Sequence, residues 1–323
     1  MKILLLTPAP MGSLAGNRAT AERWAKLLEI SGHRVSLCSE YTAEAAADAD
    51  LLIALHAWRS HEAVGAWRRD FALKPLVVAL TGTDIYQFQH THPQQTLATM
   101  DAADQLISLH GLVAEDIPDR FRDRLTPVLQ SAEPLLRQPR QDGFFQVCVI
   151  GHLREEKDSL RAGLAARLLP DESHIRILQA GKAHNEDWAV AARQEMAKNP
   201  RYQWLGQLDR KRTAELLASS DVMVISSVME GGANVVSEAC RAGLPIIASA
   251  IPGNIGLLGP EYPGYYPVQD EQALAALLLK SENDPQWLQS LTDTVVRQAD
   301  QFTPEAERAA LDLAVARALS HAG

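Results

Sequence analysis

Two carboxylates, Glu230 and Glu238, lie eight positions apart on either side of a glycine pair, Gly231 and Gly232. The apolar run at residues 222–226 precedes them and predicts a strand that leads through a glycine turn into a helix. The first N–H groups of a helix lack backbone partners and lie at the positive end of its dipole, so this turn suits a phosphate. Carboxylates would repel a phosphate. We therefore expect them to bind hydroxyl groups on either side of it, as in the ribose and the sugar of a nucleotide sugar.

The spacing of the two carboxylates suits a single ligand. If the helix begins near Ala233, Glu238 lies about 7–8 Å further along its axis, whereas Glu230 stays in the turn. With a diphosphate at the helix N-terminus, Glu238 would face the ribose and Glu230 the hexose. A purely structural alternative, a capped turn with an exposed glutamate, leaves the glycine pair unexplained. The predicted donor-binding residues of this segment are Gly231, Gly232, Ala233, Asn234, Val235 and Glu238.

A second candidate segment, residues 151–157, directly follows the apolar run at residues 145–150. A nucleotide sugar leaves as a diphosphate, and a metal ion or fixed cations and N–H donors must neutralise its growing negative charge. Arg154 and Lys157 can supply these cations, and His152 is predicted to lie beside the donor. The structural alternative is a solvated helix start, because acidic and basic residues follow one another here.

A metal site is the competing way to neutralise the diphosphate. The D-x-D pattern occurs at Asp48 and Asp50, at the end of an alanine-rich helical segment and far in sequence from the phosphate loop. This context argues against a pair of metal ligands. We therefore expect a site that requires no metal ion.

Three loops in the first half follow predicted strands, at residues 10–18, 56–60 and 81–84. The first lacks the compact G-x-G-x-x-G spacing of a dinucleotide site. Its glycines, Gly12 and Gly16, instead allow a wider loop that we assign to the donor side. Each loop also has a structural explanation, as an ordinary turn, a structural histidine or an aspartate cap. The predicted acceptor-binding residues are Asn17, Arg18, His56, Arg59, Thr81, Thr83 and Asp84.

Short apolar runs alternate with helical patterns, and several runs are apolar at nearly every position, as in strands buried on both faces of a parallel sheet. This alternation predicts an α/β fold. The predicted strands of the first half are residues 2–7, 34–38, 51–56, 76–80 and 106–109. Those of the second half are residues 145–150, 175–180, 202–205, 222–226 and 246–248.

Two local signals help to place these elements. An aspartate precedes a buried strand three times, at Asp50, Asp104 and Asp221, which indicates two halves built on one plan. In the first helix, Asn17 is predicted to be the N-cap and Gly32 to end the helix.

The length of 323 residues predicts two domains, at about 150 residues per domain. Interrupted patterning at residues 133–143 predicts the boundary. We predict an N-terminal Rossmann-like acceptor domain at residues 1–135 and a C-terminal Rossmann-like donor domain at residues 144–302. A helix at residues 303–323 is predicted to pack back on the first domain. Two such facing domains would bind ligands in a cleft at the carboxyl ends of their parallel strands.

The composition excludes several classes of protein. With 31 basic and 40 acidic residues, the net charge of −9 argues against broad contact with nucleic acid or anionic lipid. Cys38, Cys148 and Cys240 show no disulfide or zinc-site spacing and fit a reducing compartment. The first apolar run is too short for a signal peptide, and the uncharged residues 243–260 contain too many Gly and Pro for a membrane helix. We expect a soluble cytoplasmic protein without stable membrane insertion.

The two carboxylates at 230 and 238, together with residues 151–157, resemble the donor-site signatures of retaining family-4-type glycosyltransferases with the GT-B fold. More narrowly, the chain resembles the selenosugar synthase (SenB) family of selenoneine biosynthesis. His152 departs from the broader superfamily, which usually has Arg at this position, and this departure favours the narrower family. The segments that carry the narrower resemblance are residues 16–18, 80–84, 152–158, 229–234 and 251–256.

The narrower resemblance implies transfer of a hexose from a UDP-sugar, UDP-GlcNAc or UDP-glucose, to selenophosphate. The product would be a 1-seleno sugar with a new carbon–selenium bond, and other enzymes of selenoneine biosynthesis would be partners. Lys157, Arg154 and Glu230 are the expected catalytic residues. The selenium anion is strongly nucleophilic, so no strong general base is expected.

Four other functions remain open at this point. A conventional family-4-type glycosyltransferase with a carbohydrate or lipid acceptor would use the same donor half. A UDP-sugar epimerase would consume UDP-sugar without an acceptor, and a nucleotide-sugar sensor would bind it without turnover. A nicotinamide oxidoreductase is disfavoured because no G-x-G-x-x-G follows either initial strand.

Overall fold

The structure, a computed structural model, describes residues 1–12, 16–138 and 143–321. Residues 13–15 of the predicted 10–18 loop and residues 139–142 of the predicted 133–143 boundary lie outside the described residues. The chain forms two compact units. Unit 1 comprises Met1–Ser131 and Thr303–Gly323, and unit 2 comprises Ala132–Phe302.

Unit 1 is built on one parallel sheet. Its strands are β1 (Lys2–Leu6), β2 (Arg34–Cys38), β3 (Leu51–Leu55), β4 (Leu76–Ala79), β5 (Gln105–Ser108) and β6 (Leu125–Pro127), in the order β2-β1-β3-β4-β5-β6. Its first helices are α1 (Gly16–Ile30), α2 (Ala43–Ala47), α3 (His61–Asp70), α4 (Gln89–Thr91), α5 (Pro93–Ala102) and α6 (Val113–Asp116). A π-helical turn covers Asp84–Phe88 and a 3-10 helix covers Asp119–Arg124.

Unit 2 repeats this plan. Its strands are β7 (Phe145–Ile150), β8 (Ile175–Ala180), β9 (Tyr202–Trp204), β10 (Val222–Ile225), β11 (Ile246–Ser249) and β12 (Tyr265–Tyr266), in the order β12-β11-β10-β7-β8-β9 with parallel pairing. Its helices are α7 (Arg161–Ala166), α8 (Glu186–Lys198), α9 (Arg210–Ser219), α10 (Asn234–Ala242), α11 (Pro252–Leu258), α12 (Glu271–Asn283) and α13 (Pro285–Gln298). Short 3-10 helices cover Glu155–Lys157 and Ala299–Phe302.

The two parallel sheets confirm the predicted α/β class. All ten predicted strands are present, with ends within one residue of the prediction. Each sheet also has one short strand that was not predicted, β6 with three residues and β12 with two. Runs this short show no periodicity that could distinguish them from a loop.

The central strands are apolar throughout because both faces of each sheet are covered. Along β3, Leu52 and Ala54 enter one hydrophobic cluster, whereas Leu51, Ile53 and Leu55 enter another on the opposite face. Alternate side chains of a strand point to opposite faces, so a sheet with two cores requires a continuous apolar run.

The three aspartates that precede strands have one structural role. The carboxylate of Asp50 accepts a hydrogen bond from Lys2 N at 2.7 Å, at the start of the neighbouring strand. Asp104 does the same for Leu76 N and Asp221 for Gln146 N, each also at 2.7 Å. Each aspartate therefore satisfies an N–H in the first two residues of an adjacent parallel strand.

The first helix differs from its prediction. It is already helical at Gly16, so Asn17 is its second residue and not its N-cap. Its end after Ile30 agrees with the predicted stop at Gly32, which has φ of +86°. None of the helices in the described ranges is long and apolar enough to cross a membrane.

The last helix, α14 (Pro304–His321), completes the core of unit 1. Leu311, Ala314, Val315 and Ala318 share a hydrophobic cluster with Trp24 of α1. Thr303 caps the helix by accepting a hydrogen bond from Ala306 N at 3.2 Å, as the Thr-Pro-Glu sequence at its start suggested.

A buried carboxylate anchors α14. The side chain of Glu307 is 0% exposed and accepts hydrogen bonds at 2.8 Å from Trp24 Nε1, Arg23 Nε and Ser131 N. Burying this charge requires several donors, and here an indole, a guanidinium and a backbone amide supply them. The carboxylate thereby ties the end of the first segment of unit 1 to its last helix.

We predict that Glu307→Ala lowers the free energy of unfolding by about 3 kcal/mol or more, because it leaves the buried Trp24 indole N–H without its acceptor and removes the anionic partner of Arg23. Urea denaturation followed by circular dichroism measures this loss. Glu305→Ala is the matched control, since Glu305 is exposed in the first turn of the same helix, and should cost less than about 1 kcal/mol. Equal stabilities of the two variants would contradict the anchoring role.

Candidate functional site

The carboxyl ends of β7 and β10 bring the two predicted donor segments together in unit 2. Lys157, which lies beyond β7, forms an ion pair with Glu230, which lies beyond β10. The two side chains are 20% and 9% exposed. Because β7 and β10 are neighbours in the sheet, residues 73 positions apart become direct partners. The predicted cation and the predicted hexose-binding carboxylate therefore belong to one site.

A chain of buried hydrogen bonds fixes Glu230. Ser227 Oγ donates to the Glu230 carboxylate at 2.5 Å, and Ser249 Oγ donates to the Ser227 carbonyl at 2.6 Å. Asn254 Nδ2 in turn donates to the Ser249 carbonyl at 2.9 Å. Gly253 packs so closely that a Cβ there would lie 2.3 Å from the Glu230 carbonyl oxygen. The carboxylate thus has a fixed position before any ligand binds.

Apart from Glu230, the residues of this hydrogen-bond network were missing from the predicted site. Three of them, Ser249, Gly253 and Asn254, hold Glu230 in place indirectly, through Ser227 and the backbone. Their residue types therefore give no sign of a catalytic or binding role. Gly253 and Asn254 do lie within the 251–256 segment used for the family resemblance. The sequence signal was present there, but it indicated a family and not a role.

The loop that carries Lys157 is attached to the end of β10. Ser226 Oγ donates to the carbonyls of Lys157 and Asp158 at 3.0 Å each, and Val228 N donates to the Glu156 carbonyl at 2.9 Å. Asp158 adopts a left-handed conformation with φ of +43°, which ends the short 3-10 helix. These bonds direct the Lys157 ammonium toward Glu230.

A small cavity lies beside this ion pair. Its volume of about 10 Å³ approaches the size needed for one water molecule. The residues that line it include Gly151, Lys157, Ser226 and Ser227.

The N-terminus of α10 follows the glycine turn, as predicted. Its cap residue is Ala233, whose side chain cannot accept a hydrogen bond, and its first turn contains no acidic residue. Val236 N donates to the Ala233 carbonyl at 2.9 Å, so backbone and not the cap side chain satisfies this donor. A helix N-terminus of this kind suits an anion. Glu238 is the fifth residue of the helix and is half-buried.

Two further basic residues lie near His152. Burial, followed by the positive charges of Arg154, Lys157, Lys182 and His184, lowers the pKa of His152. The ring is therefore uncharged at neutral pH. Arg154 Nε lies 3.7 Å from the Glu156 carboxylate. Lys182 and His184 follow β8 and were absent from the predicted site.

In unit 1, the carboxyl ends of β3 and β4 bring together His56, Thr83 and Asp84. Asp84 is 1% exposed and accepts hydrogen bonds from Thr81 N and Ala57 N at 2.9 Å, and from Gly82 N at 2.8 Å. The aspartate therefore ties two loops together. Its oxygens are already used by backbone donors, which matches the structural explanation given for this residue.

His56 is also buried and held on both sides. Its Nδ1 accepts from Arg59 N at 3.3 Å, so Nε2 bears the proton and donates to Thr83 Oγ1 at 2.9 Å. Burial lowers the pKa of His56, and the opposing effect of Asp84 is smaller. Its φ of +73° lies in the left-handed region, which is rare for a residue with a bulky side chain. Such strain often marks functional positions.

An aromatic group lies beside this cluster. The Trp58 ring stacks on Phe88 with a centroid distance of 4.1 Å, and His92 lies 5.0 Å from Trp58. The exposed Arg59 guanidinium lies 5.7 Å from the centre of the Trp58 ring. We call Trp58, Phe88 and His92 the aromatic group below.

The first loop supplies less than the sequence suggested. Arg18 is only 7% exposed, and its Nε donates to Glu22 at 2.6 Å within α1. Its guanidinium therefore already has an anionic partner. Gly12 and Gly16 are exposed, and Asn17 is half-exposed.

The D-x-D pair has structural partners in place of a metal. Asp48 forms an ion pair with the Lys2 ammonium, and Asp50 accepts from Lys2 N. Within residues 1–12, 16–138 and 143–321, no group of three or more His, Cys, Asp or Glu side chains could hold a metal ion.

Similar solved structures share the whole fold. HepE from Anabaena, solved in complex with UDP, superposes with a TM-score of 0.77 over 98% of this chain and 100% of that chain, at 17% identity. Sucrose-phosphate synthase from Thermosynechococcus elongatus gives a TM-score of 0.79 over 100% of both chains, also at 17% identity. These similarities confirm the predicted GT-B fold.

A curated relative is similar in sequence. The GDP-mannose-dependent alpha-mannosyltransferase of Mycobacterium tuberculosis (strain CDC 1551 / Oshkosh) is 32% identical over 185 residues, which is 55% of this chain. The aligned region spans 45% of that relative's length.

The family described as "Glycosyl transferases group 1" matches residues 136–299. The match includes all six strands of unit 2, the Lys157–Glu230 ion pair and the N-terminus of α10. By this match, the chain belongs to the glycosyl transferases group 1 family.

Proposed function

We propose that the protein transfers a hexose from a UDP-sugar to selenophosphate and so forms a 1-seleno sugar. The observation that supports the donor half best is the Lys157–Glu230 ion pair, in which Glu230 lies four residues before the start of α10. The acceptor assignment is supported by the resemblance of residues 16–18, 80–84, 152–158, 229–234 and 251–256 to selenosugar synthases.

In this proposal, the UDP-sugar displaces Glu230 as the anionic partner of Lys157. A diphosphate that binds at the α10 N-terminus offers Lys157 a more highly charged partner than Glu230. Glu230 can then accept hydrogen bonds from hexose hydroxyls without moving, because Ser227 and the Gly253 contact keep it in place. Glu238 would bind the ribose. The complexes of HepE with UDP and with UDP-glucose support a uridine nucleotide as donor.

The proposed reaction substitutes the anomeric carbon of the hexose. The selenium of selenophosphate supplies the electron pair of the new carbon–selenium bond, and the bond from carbon to the UDP oxygen breaks. UDP leaves with that electron pair, and Lys157, Arg154 and the α10 amides stabilise its charge without a metal ion. Water then cleaves the selenium–phosphorus bond, which releases phosphate and the 1-seleno sugar. The selenium anion needs no general base.

In unit 1, the loops around His56 and Thr83 are the proposed acceptor-binding elements. The exposed Arg59 is the cation available there for an anionic acceptor. His56 and Asp84 position these loops, since their polar atoms already bond to Thr83 and to backbone amides.

Product analysis tests the whole proposal. The protein is incubated with UDP-GlcNAc or UDP-glucose, with and without selenophosphate, and the products are examined by mass spectrometry for a selenium isotope pattern. We expect a selenium-containing sugar only when both substrates are present. A parallel reaction with GDP-mannose is included because the mycobacterial relative is named for that donor. Absence of a selenium-containing sugar with every donor would refute the selenophosphate assignment.

A second candidate function is a conventional glycosyltransferase with a carbohydrate acceptor. The aromatic group favours it, because stacked, partly exposed aromatic rings offer an apolar face with polar groups beside it. A UDP-sugar epimerase, the remaining alternative, would convert UDP-sugar without any acceptor, and the reactions without selenophosphate reveal this.

We predict that Lys157→Ala lowers kcat by about 10²- to 10³-fold, because one cation that stabilises the leaving diphosphate is lost. Steady-state kinetics with UDP-sugar measures the effect. Lys198→Ala is the control, since Lys198 is exposed at the end of α8, and its kcat should stay within about twofold of the unsubstituted protein. Unchanged kinetics for Lys157→Ala would remove this residue from catalysis.

Glu238→Ala should weaken binding of UDP itself by about tenfold or more, because the ribose loses a charge-assisted hydrogen-bond acceptor. Isothermal titration calorimetry measures the Kd for UDP. Glu261→Ala, a change at an exposed glutamate of the same unit, should leave this Kd unaltered. If both variants bind UDP equally well, the ribose assignment is wrong.

Trp58→Ala distinguishes the two acceptor classes. With selenophosphate as acceptor, we expect the acceptor KM to change by less than about threefold, because a small dianion gains little from an aromatic face. A carbohydrate acceptor would instead lose its stacking surface, and its KM would rise by about tenfold or more. Phe71→Ala is not a suitable control because that ring packs against the core, whereas the exposed Leu73→Ala is suitable.

A further inference from the structure

The pairing of β7 with β8 continues beyond the ends of both strands. Leu153 N donates to the Lys182 carbonyl and His184 N donates to the Leu153 carbonyl, each at 2.9 Å. Leu153 and Ala183 form a parallel bridge. Residues 151–154 and 181–184 are therefore two short extended segments side by side.

Gly181 fixes the distance between these segments. Its φ is +155°, and a Cβ at this position would lie 1.9 Å from the Gly151 carbonyl oxygen. Any other residue would force the segments apart. The residues that follow Gly181 are thereby held against the residues that follow Gly151.

The extended pairing determines which side chains share a face. Leu153 is 0% exposed and points into the protein, so the residues on either side of it point the opposite way. Those residues are His152 and Arg154, and their parallel neighbours across the bridge are Lys182 and His184. Adjacent strands lie about 4.8 Å apart. We call these four residues the basic face.

Within this face, Arg154 has an anionic partner in Glu156, whereas among the described residues the two basic residues that follow β8 have none. Lys182 and His184 are exposed, and neither takes part in an ion pair within the portion of the chain that the structure describes. Every charged group that influences His152 is basic. By contrast, Lys157 is already paired with Glu230. A face of this kind attracts a compact anion.

We propose that the basic face binds a phosphate-type dianion through Lys182 and His184, with His152 beside them, whereas Arg154 at the edge of this face serves the leaving diphosphate. A tetrahedral dianion has several acceptor oxygens and can contact both segments at once. The inference rests on the proposed function in one respect, namely that the dianion is the selenophosphate acceptor, and it assigns the binding of that dianion to unit 2 in place of the unit 1 loops around His56 and Thr83. An anionic acceptor that attacks next to a leaving diphosphate meets strong repulsion, and separate cations for each anion reduce it.

The test is a binding measurement that needs no turnover. Inorganic phosphate is titrated into the protein saturated with UDP, at constant ionic strength, by isothermal titration calorimetry. UDP fills the diphosphate site, so phosphate reports on a second site. The variants are Lys182→Ala/His184→Ala and, as a control at another exposed lysine of the same unit, Lys198→Ala. The Kd for UDP is measured for each variant and also reports on folding.

We expect phosphate to bind the UDP-loaded protein and to bind the double variant at least tenfold more weakly, with the Kd for UDP changed less than twofold. Lys198→Ala should resemble the unsubstituted protein. No phosphate binding, or equal binding by the double variant, would overturn the inference. An equal loss of UDP affinity would also overturn it, because the face would then serve the diphosphate of the donor.

Failure of the inference and failure of the proposed function give different results. If phosphate binds as expected but no selenium-containing sugar forms, the dianion site stands and the selenophosphate assignment fails. If the selenium-containing sugar forms and the double variant binds phosphate normally, the function stands and the site is wrong. If UDP does not bind, the same titration without nucleotide compares the double variant with Lys198→Ala directly.

Discussion

Parallel strand pairing is the constraint on which the rest of this structure depends. A parallel sheet brings all its strand starts to one edge and all its strand ends to the other. In both units aspartates bind backbone at the starting edge, since Asp50, Asp104 and Asp221 each accept from an N–H in the first two residues of a neighbouring strand. The opposite edge carries the loops that follow the strands. Its polar groups come from the loops, and the candidate site residues lie there.

The Lys157–Glu230 ion pair lies at the carboxyl ends of the unit 2 strands and is largely buried. Two charges that are 20% and 9% exposed would be costly to bury singly, and the pair is tolerable because Ser227 shares the carboxylate and solvent still reaches the ammonium. Ser249, Gly253 and Asn254 add rigidity from a third strand end. A carboxylate fixed in this way has little freedom to lose when a sugar hydroxyl binds, so less of the binding free energy is used for ordering.

The sequence predicted the strands well for a physical reason. A strand buried on both faces must be apolar at nearly every position, and such runs are easily distinguished from loops. The prediction missed β6 and β12, which have too few residues to show a pattern. The start of α1 was placed too late because Asn17 is a good cap by residue type, although Gly16 is already helical. Local chemistry alone could not decide between these starts.

For the candidate site, the sequence identified individual charged side chains but did not show which of them are in contact. Lys157 and Glu230 were each recognised from a position after a strand, yet their pairing depends on β7 and β10 being neighbours, which follows from sheet order. The same holds for Lys182 and His184, whose relation to His152 depends on β8 lying beside β7. For Arg18, too, the sequence did not show the partner. Its charge suggested an anion site, which stays a prediction, and its Nε donates to Glu22 one helical turn away.

The packing of α14 in unit 1 has a consequence for the order of folding. Unit 1 is assembled from two stretches of chain, and all of unit 2 is synthesised between them. Leu311, Ala314 and Val315 fill one face of its core, and Glu307 receives the Trp24 and Arg23 donors. Until α14 emerges from the ribosome, that face is uncovered and the Trp24 indole lacks its Glu307 acceptor. Unit 2 can therefore finish folding first, while unit 1 waits with exposed apolar surface for the last helix.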